Sequence, residues 1–363
     1  MAQTMTAAKS GFLHTYSDQR LAVLEAADLA RRYSAKAGWA RDRLDRLLAR
    51  LENRIIERTL ISRLKTALNK TGSLAAAESH VAWMRGAYAS GAMETLPSFT
   101  PGGLSDGPRL PQTSPRDAGE NHEHRRKNRP ILLYVAGGGF VMPPSRKQKT
   151  MVQRLAEAVN CEIMLVPHRL APEHPFPAAP ADFAAHYLAL LEDGHRPENI
   201  FLAADTAGAS IVLGALQMLR KDGADLPAGT ILFAPWCDLS LSGWSYITRS
   251  MSSQSPFRME TAAFCARLYL QDEPVTSPLA SPIFADQTGW PPILIHTSEN
   301  DIHFDDAIRL AENGQKHGCD VRLNYWDSPR HHLERLSSKA AAQSFGQVNA
   351  FIDRCWRPAG DLQ

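Results

Sequence analysis

From Ile131 onward the chain alternates short apolar runs with stretches of helical spacing, and no other feature restricts its fold so tightly. The runs are ILLYV (131–135), CEIMLVP (161–167), NIFLAA (199–204), GTILFAP (229–235), PPILIHT (291–297) and DVRLNYW (320–326). Each is long enough for a strand and too short for a buried helix. Between them, Lys149–Ala158, Ala181–Leu191, Ala207–Lys221 and Asp306–His317 read as helices. Near-continuous apolar strands are buried on both faces, so the expected class is α/β, a mostly parallel sheet with helices on both sides. Ligands of such sheets bind at the carboxyl ends of the strands. The residues that follow each run are therefore the first place to look for chemistry.

The preceding part reads differently. Residues 1–97 are expected to be a helical cap or lid region. Leu44, Leu47, Leu48, Leu51, Ile55, Leu60 and Leu64 recur there at helical spacing, with arginines and acids between them. A helix packed on the domain surface is the first reading of that stretch, and a lid or homodimer contact the second. Residues 98–129, rich in Pro, Gly, Ser and charge, read as a flexible linker or surface loop. The core is expected over 130–363, with a lid insertion at about 240–282. His122-Glu123-His124 lies in the loop, but no other ligand stands at a metal-site spacing, so neither metal nor cofactor is expected.

Global properties exclude several classes. A formal charge of +2 over 363 residues gives no footprint for nucleic acid. The longest apolar runs are too short to span a bilayer. The opening MAQTMTAAKSGFLHTYSDQR has no apolar signal core, and the five cysteines are scattered without a C-x-x-C pair. Reduced thiols and a cytoplasmic location are the expectation.

Three strand exits carry the chemistry. The first is Ala136-Gly137-Gly138-Gly139-Phe140, where glycines let backbone amides approach a ligand; alone they would fit a tight turn as well. The second is the proline-locked RLAPEHPFPAA (169–179), in which Arg169 and Glu173 are expected to pair and hold the loop. The third is Ala204-Asp205-Thr206-Ala207-Gly208, a strand-to-helix turn of small residues in which Asp205 is expected to orient the turn. Further on lie APWCDLS (234–240), SENDIHFDDA (298–307) and SPRHH (328–332).

In order and spacing these motifs resemble the hormone-sensitive-lipase-like branch of the α/β-hydrolase fold family, over about Ile131 to Trp356. That resemblance implies a triad of Thr206 as nucleophile, Asp301 as acid and His331 as base, in the chain order of the fold. His332 stands beside His331 as a second candidate base, and Asp301 could instead cap the helix nearby. The resemblance also implies an oxyanion hole built from Gly137, Gly138 and Ala207. Aromatic residues of the 237–282 segment and its flank (Trp236, Trp244, Tyr246, Phe257, Phe264, Tyr269) are expected to line or cover a site for an apolar acyl or polycyclic small molecule.

The chain departs from the family pattern in three places. Ala136 replaces the histidine before the glycines, Ala204 replaces the first glycine of G-x-S-x-G, and Thr206 replaces its serine. A β-branched residue at that turn is sterically penalised. Three functions stay open at this level. One is an ester, lactone or thioester hydrolase or acyltransferase using Thr206. Another is a cyclase, lyase or isomerase of specialised metabolism that uses the histidine–aspartate pair as acid and base. The last is a small-molecule binder without turnover.

Overall fold

The computed structural model describes residues 109–110, 129–159, 161–250, 259–327 and 339–356. The expected helical region 1–97, nearly all of the expected loop, Phe257, His331 and His332 lie outside them. Among the described residues seven strands form one sheet: β1 (Arg109–Leu110), β2 (Ile131–Val135), β3 (Glu162–Leu165), β4 (Ile200–Asp205), β5 (Gly229–Phe233), β6 (Ile293–Ser298) and β7 (Val321–Trp326). Their order across the sheet is β1-β3-β2-β4-β5-β6-β7. All neighbours from β3 to β7 are parallel; β1 alone pairs antiparallel, with Arg109 opposite Met164. The helices are α1 (Arg146–Ala158), α2 (Ala178–Glu192), α3 (Ala207–Lys221), α4 (Trp244–Ser250), α5 (Met259–Leu270), α6 (Phe304–Lys316) and α7 (Lys339–Cys355).

The continuous apolar runs have the cause inferred from them. Alternate residues of each central strand enter two separate cores. Ile131, Leu133, Val135, Ile200, Leu202 and Ala204 face one side, with Phe183 and Tyr187 of α2 and Val212 and Leu216 of α3. Leu132, Tyr134, Phe201 and Ala203 face the other, with Met151 and Leu155 of α1 and Phe345, Val348 and Phe351 of α7. A strand with cores on both sides has no polar position to spare.

One expectation changes. The stretch read as a loop contains β1, two residues between Pro108 and Pro111 and too short to show any alternation. The stretch read as a lid contributes α5, and Phe264, Leu268, Tyr269 and Leu270 of that helix are buried in the first core. Trp236 and Tyr246 are buried there too, whereas Trp244 is exposed. No helix among the described residues is long and apolar enough to cross a membrane.

A histidine is among the polar groups buried within the sheet. His296 of β6 is 1% exposed, packed edge-on against Phe233 and Trp326. Its Nδ1 lies 2.8 Å from Ser344 Oγ and its Nε2 3.3 Å from Asn324 Nδ2, so the ring joins β7, β6 and α7. Burial pushes its pKa down from 6.5 to about 3. A histidine lowered in the fold binds its proton more readily when unfolded. Its contribution is therefore whole above pH 6.5 and is lost as the pH falls toward 3. The slope is about 1.4 kcal/mol per pH unit. Urea unfolding of the wild type between pH 7.5 and 4.5 should show this loss, and His296→Asn should remove one proton's worth of the slope. An equal slope in both proteins would refute the assignment.

Candidate active site

The turn from β4 into α3 is closed by backbone hydrogen bonds. Thr206 N donates to Phe233 O at 3.0 Å, and Thr206 O accepts from Trp236 N at 3.0 Å and Ala209 N at 3.1 Å. These bonds hold Thr206 at φ 51° and ψ −120°. A positive φ in a β-branched residue costs about 1–3 kcal/mol and persists only where the surroundings over-determine it. Here the end of one strand, the exit of the next and the first turn of a helix all fix the same residue. The side chain is 7% exposed at the N-terminus of α3, where the first amides of a helix lack intrahelical partners.

The glycine loop passes directly over this turn. A Cβ on Gly137 would lie 2.7 Å from Asp205 O and 2.9 Å from both Thr206 Cβ and Oγ1, so only glycine fits. Gly208 is required for a similar reason: a Cβ there would stand 2.6 Å from Val135 O and 3.3 Å from the Ala204 methyl. Ala204 thus fits where the family pattern has glycine because the small residue four positions later makes room for it.

Asp205 ties loop to turn. Its Oδ1 accepts from the Tyr134 hydroxyl at 3.0 Å and from Gly137 N at 2.9 Å, and its Oδ2 from Gln148 Nε2 at 2.9 Å. The Thr206 hydroxyl stands 3.4 Å from Oδ2. The expected orienting part of Asp205 has this geometry. The expectation for Gly137 has to be corrected: its amide is engaged by a carboxylate, so it is not a donor held ready for an oxyanion. Gly138 uses its carbonyl for Val141 N and Met142 N, which rolls the loop into a turn.

Gln148 is a site residue the sequence reading passed over. Its Nε2 also donates to Gly137 O at 2.9 Å. Its Oε1 faces Ser145 N and Oγ, both at 2.9 Å, within the capping box that opens α1. The pattern Ser-x-x-Gln before an apolar stretch was the available signal. One side-chain amide thus joins a helix cap, the glycine loop and Asp205.

The proline-locked loop is held by Arg169, but its partner is Asp182 and not Glu173. Nε and Nη2 meet Asp182 Oδ1 at 3.0 and 2.8 Å, and Arg169 N donates to Oδ2 at 2.8 Å. Asp182 lies one turn into α2, thirteen residues on, whereas Glu173 is exposed. Phe140, at the end of the glycine loop, stacks on Tyr269 at 3.9 Å and leans on Trp236 at 5.2 Å; Phe176 meets Tyr269 edge-on. Glycine loop, proline-locked loop and α5 therefore share one aromatic cluster.

Asp301 follows β6 and is 2% exposed. Its Oδ1 accepts from His303 N at 2.8 Å and lies 3.1 Å from His303 Nδ1. It does not cap α6, whose N-cap is His303 with no side-chain cap bond. Thr206 and Asp301 thus follow β4 and β6 at the same edge of the sheet, separated by the β5 exit that carries Trp236. Below them Asp306 accepts from Cys237 N, Asp238 N and the Tyr246 hydroxyl at 2.8 to 2.9 Å. Burial and the neighbouring Asp238 hold its pKa well above the usual carboxylate range.

The Gln148 junction gives a test. Gln148→Leu removes the donor to Gly137 O and to Asp205 in a buried place. Stranding such groups costs about 1–3 kcal/mol. Urea unfolding should show a lower midpoint at unchanged slope, and turnover should fall because the glycine loop is loosened. Wild-type stability and rate would show that the junction does not matter.

Comparison with known proteins agrees with this layout. The model of a family described as alpha/beta hydrolase fold matches residues 132–334. An acetyl-hydrolase of Streptomyces hygroscopicus is 35% identical over 208 residues, 57% of this chain and 69% of that protein. An esterase of Acinetobacter venetianus is 28% identical over 196 residues, and the match spans less than two thirds of its length, 64%. Among solved structures, an esterase from the bacterial hormone-sensitive lipase family superposes with a TM-score of 0.59 at 33% identity, covering 63% of this chain and 77% of that one. A hormone-sensitive lipase from a metagenome library gives 0.58 at 30%, covering 62% and 78%. With a family match over more than half of its length and these neighbours, the chain belongs to the α/β-hydrolase fold family, in its hormone-sensitive-lipase-like branch.

Proposed function

We propose that the protein is a carboxylic ester hydrolase that attacks with Thr206. One observation carries this reading above the others: a β-branched residue is held at φ 51° and ψ −120° at the head of α3. Nothing in packing alone calls for that strain, since glycine would occupy the same backbone without it. Such strain is found where a side chain must stand at a fixed point over a helix N-terminus. In this reading the Thr206 hydroxyl loses its proton to His331 as it adds to the ester carbonyl carbon. The carbonyl electrons move to oxygen, and amides of Gly138 and Ala207 hold the oxyanion. Collapse expels the alcohol, protonated by the histidine, and water then releases the acid by the same steps.

Asp301 supports the imidazole. Asp327 at the exit of β7 accepts from Asn300 Nδ2 at 3.1 Å, one residue before Asp301. His331 follows four residues later, and four residues of chain reach at most about 14 Å. Asp205 is unsuited to be the base, because three other donors already use its two oxygens. The relatives' names, acetyl-hydrolase and esterase, favour short acyl esters. The aromatic cluster of Phe140, Trp236 and Tyr269 beside the glycine loop suits an apolar substrate.

Hydrolysis of p-nitrophenyl acetate tests the reading. Thr206→Ala and His331→Ala should each abolish turnover, and their losses should not add, because the residues act as a unit. Thr206→Ser should equal or exceed the wild type by losing the crowding methyl. Thr206→Gly should be inactive yet melt at an equal or higher temperature, since the strain is relieved. If Thr206→Ala retains the activity while His331→Ala destroys it, the pair serves acid–base chemistry of another kind. If neither changes turnover but both alter ligand affinity, the protein is a binder.

A further inference from the structure

Resting on the hydrolase reading, we infer that His303 is a positioning residue for the triad acid, a second imidazole held against Asp301. Two donors of one residue converge on a single carboxylate oxygen: His303 N at 2.8 Å and His303 Nδ1 at 3.1 Å from Asp301 Oδ1. Both side chains are fully buried. An ionised carboxylate only accepts, so Nδ1 carries the hydrogen on this contact. The ring cannot swing away. Trp236 lies against one side with ring centres 5.6 Å apart, and Tyr246 meets it at 86° and 5.7 Å. Titratable groups that face it include Asp301 and, from α4, Tyr246, whose hydroxyl donates to Asp306. Trp236 donates its own amide to Thr206 O, so the clamp on His303 is built from the residue that closes the nucleophile turn.

The consequence is electrostatic. A hydrogen bond to one carboxylate oxygen fixes the plane of the group and keeps it ionised. It also draws off part of the negative charge that would otherwise act on the catalytic base. With His303 in place, the base is oriented without being made too strong an acid-holder near neutral pH. Without it, Asp301 is a looser and more basic partner, and the base keeps its proton to higher pH.

The test uses the full chain and p-nitrophenyl acetate, with Thr206→Ala beside it. His303→Leu should lower kcat about tenfold or more with little change in KM, and should move the acid limb of the kcat/KM profile to higher pH by roughly 0.5–1. His303→Asn, whose amide can donate where Nδ1 does, should restore most of kcat and return the limb toward its wild-type position. Melting temperatures of both variants separate this from loss of folding. An unmoved acid limb in a folded His303→Leu protein, with Thr206→Ala inactive, overturns the inference alone. Failure of His303→Asn to restore what a folded His303→Leu loses also overturns it. Activity that survives Thr206→Ala overturns the hydrolase reading, and the inference with it.

Discussion

The carboxylate of Asp205 is the group on which the other features of the site depend. It is buried and lies at the last position of β4, yet it is tied into three other elements: the Tyr134 hydroxyl from β2, the Gly137 amide from the loop after β2 and the Gln148 amide from α1. A buried carboxylate is tolerable only when hydrogen bonds replace its water. Those bonds do more than satisfy it. They set the height of the glycine loop over Thr206, which in turn forbids any side chain at Gly137. The loop then delivers Phe140 to the aromatic cluster with Tyr269 and Trp236. Packing of the aromatic cluster and position of the glycine loop are in this way consequences of one buried carboxylate.

A single hub of this kind explains how the turn survives its substitutions. The backbone of Thr206 is held from three sides by bonds that do not involve its side chain. The steric cost of a β-branched residue at this φ is therefore offset by bonds from the strand exits and the helix start, not by any contact of its side chain. Ala204 adds a methyl that Gly208 leaves room for, and Ala136 joins the core beneath the loop, 4% exposed, where a polar ring would need a partner. The loop does not need such a ring for its own anchoring, because Gln148 donates to the Gly137 carbonyl.

Much of this was legible in the sequence, for reasons that differ by element. Strands β2, β4, β5 and β6 were legible because burial on both faces leaves a near-continuous apolar run, as in ILLYV and NIFLAA, whereas the last parallel strand, β7, is only half-buried and mixes polar with apolar residues. Strand β1 was not legible, because two residues between prolines carry no pattern. The turn at Thr206 and the acid at Asp301 were legible as positions after strands. The partner of Arg169 was misread: Glu173 is near in sequence, but a helix folding back brings Asp182 nearer in space. Gln148 was overlooked since its role as a cap is local, while its contacts with Gly137 and Asp205, eleven and fifty-seven residues away, exist only once the sheet is assembled. The same holds for His303, which reads as an ordinary residue at a helix start until its ring is seen against Asp301.

The departures from the family pattern around Thr206 share a physical character. Two of them, Ala204 and Thr206, each add one carbon beside the turn, and the third, Ala136, removes a ring from the base of the loop. None alters the partners of the buried carboxylates described above: Asp205 accepts from Tyr134, Gly137 and Gln148, Asp301 from His303, and Asp306 from Cys237, Asp238 and Tyr246. Hydrogen-bonded charges in a dry interior are the costly part of such a site, because each lost partner strands a buried polar group. Methyl groups are cheap by comparison, and their effect is steric. Under the proposed reading, the substitutions act on how closely a carbonyl carbon can approach the Thr206 hydroxyl, while the hydrogen-bonded carboxylates around it are left as the fold builds them.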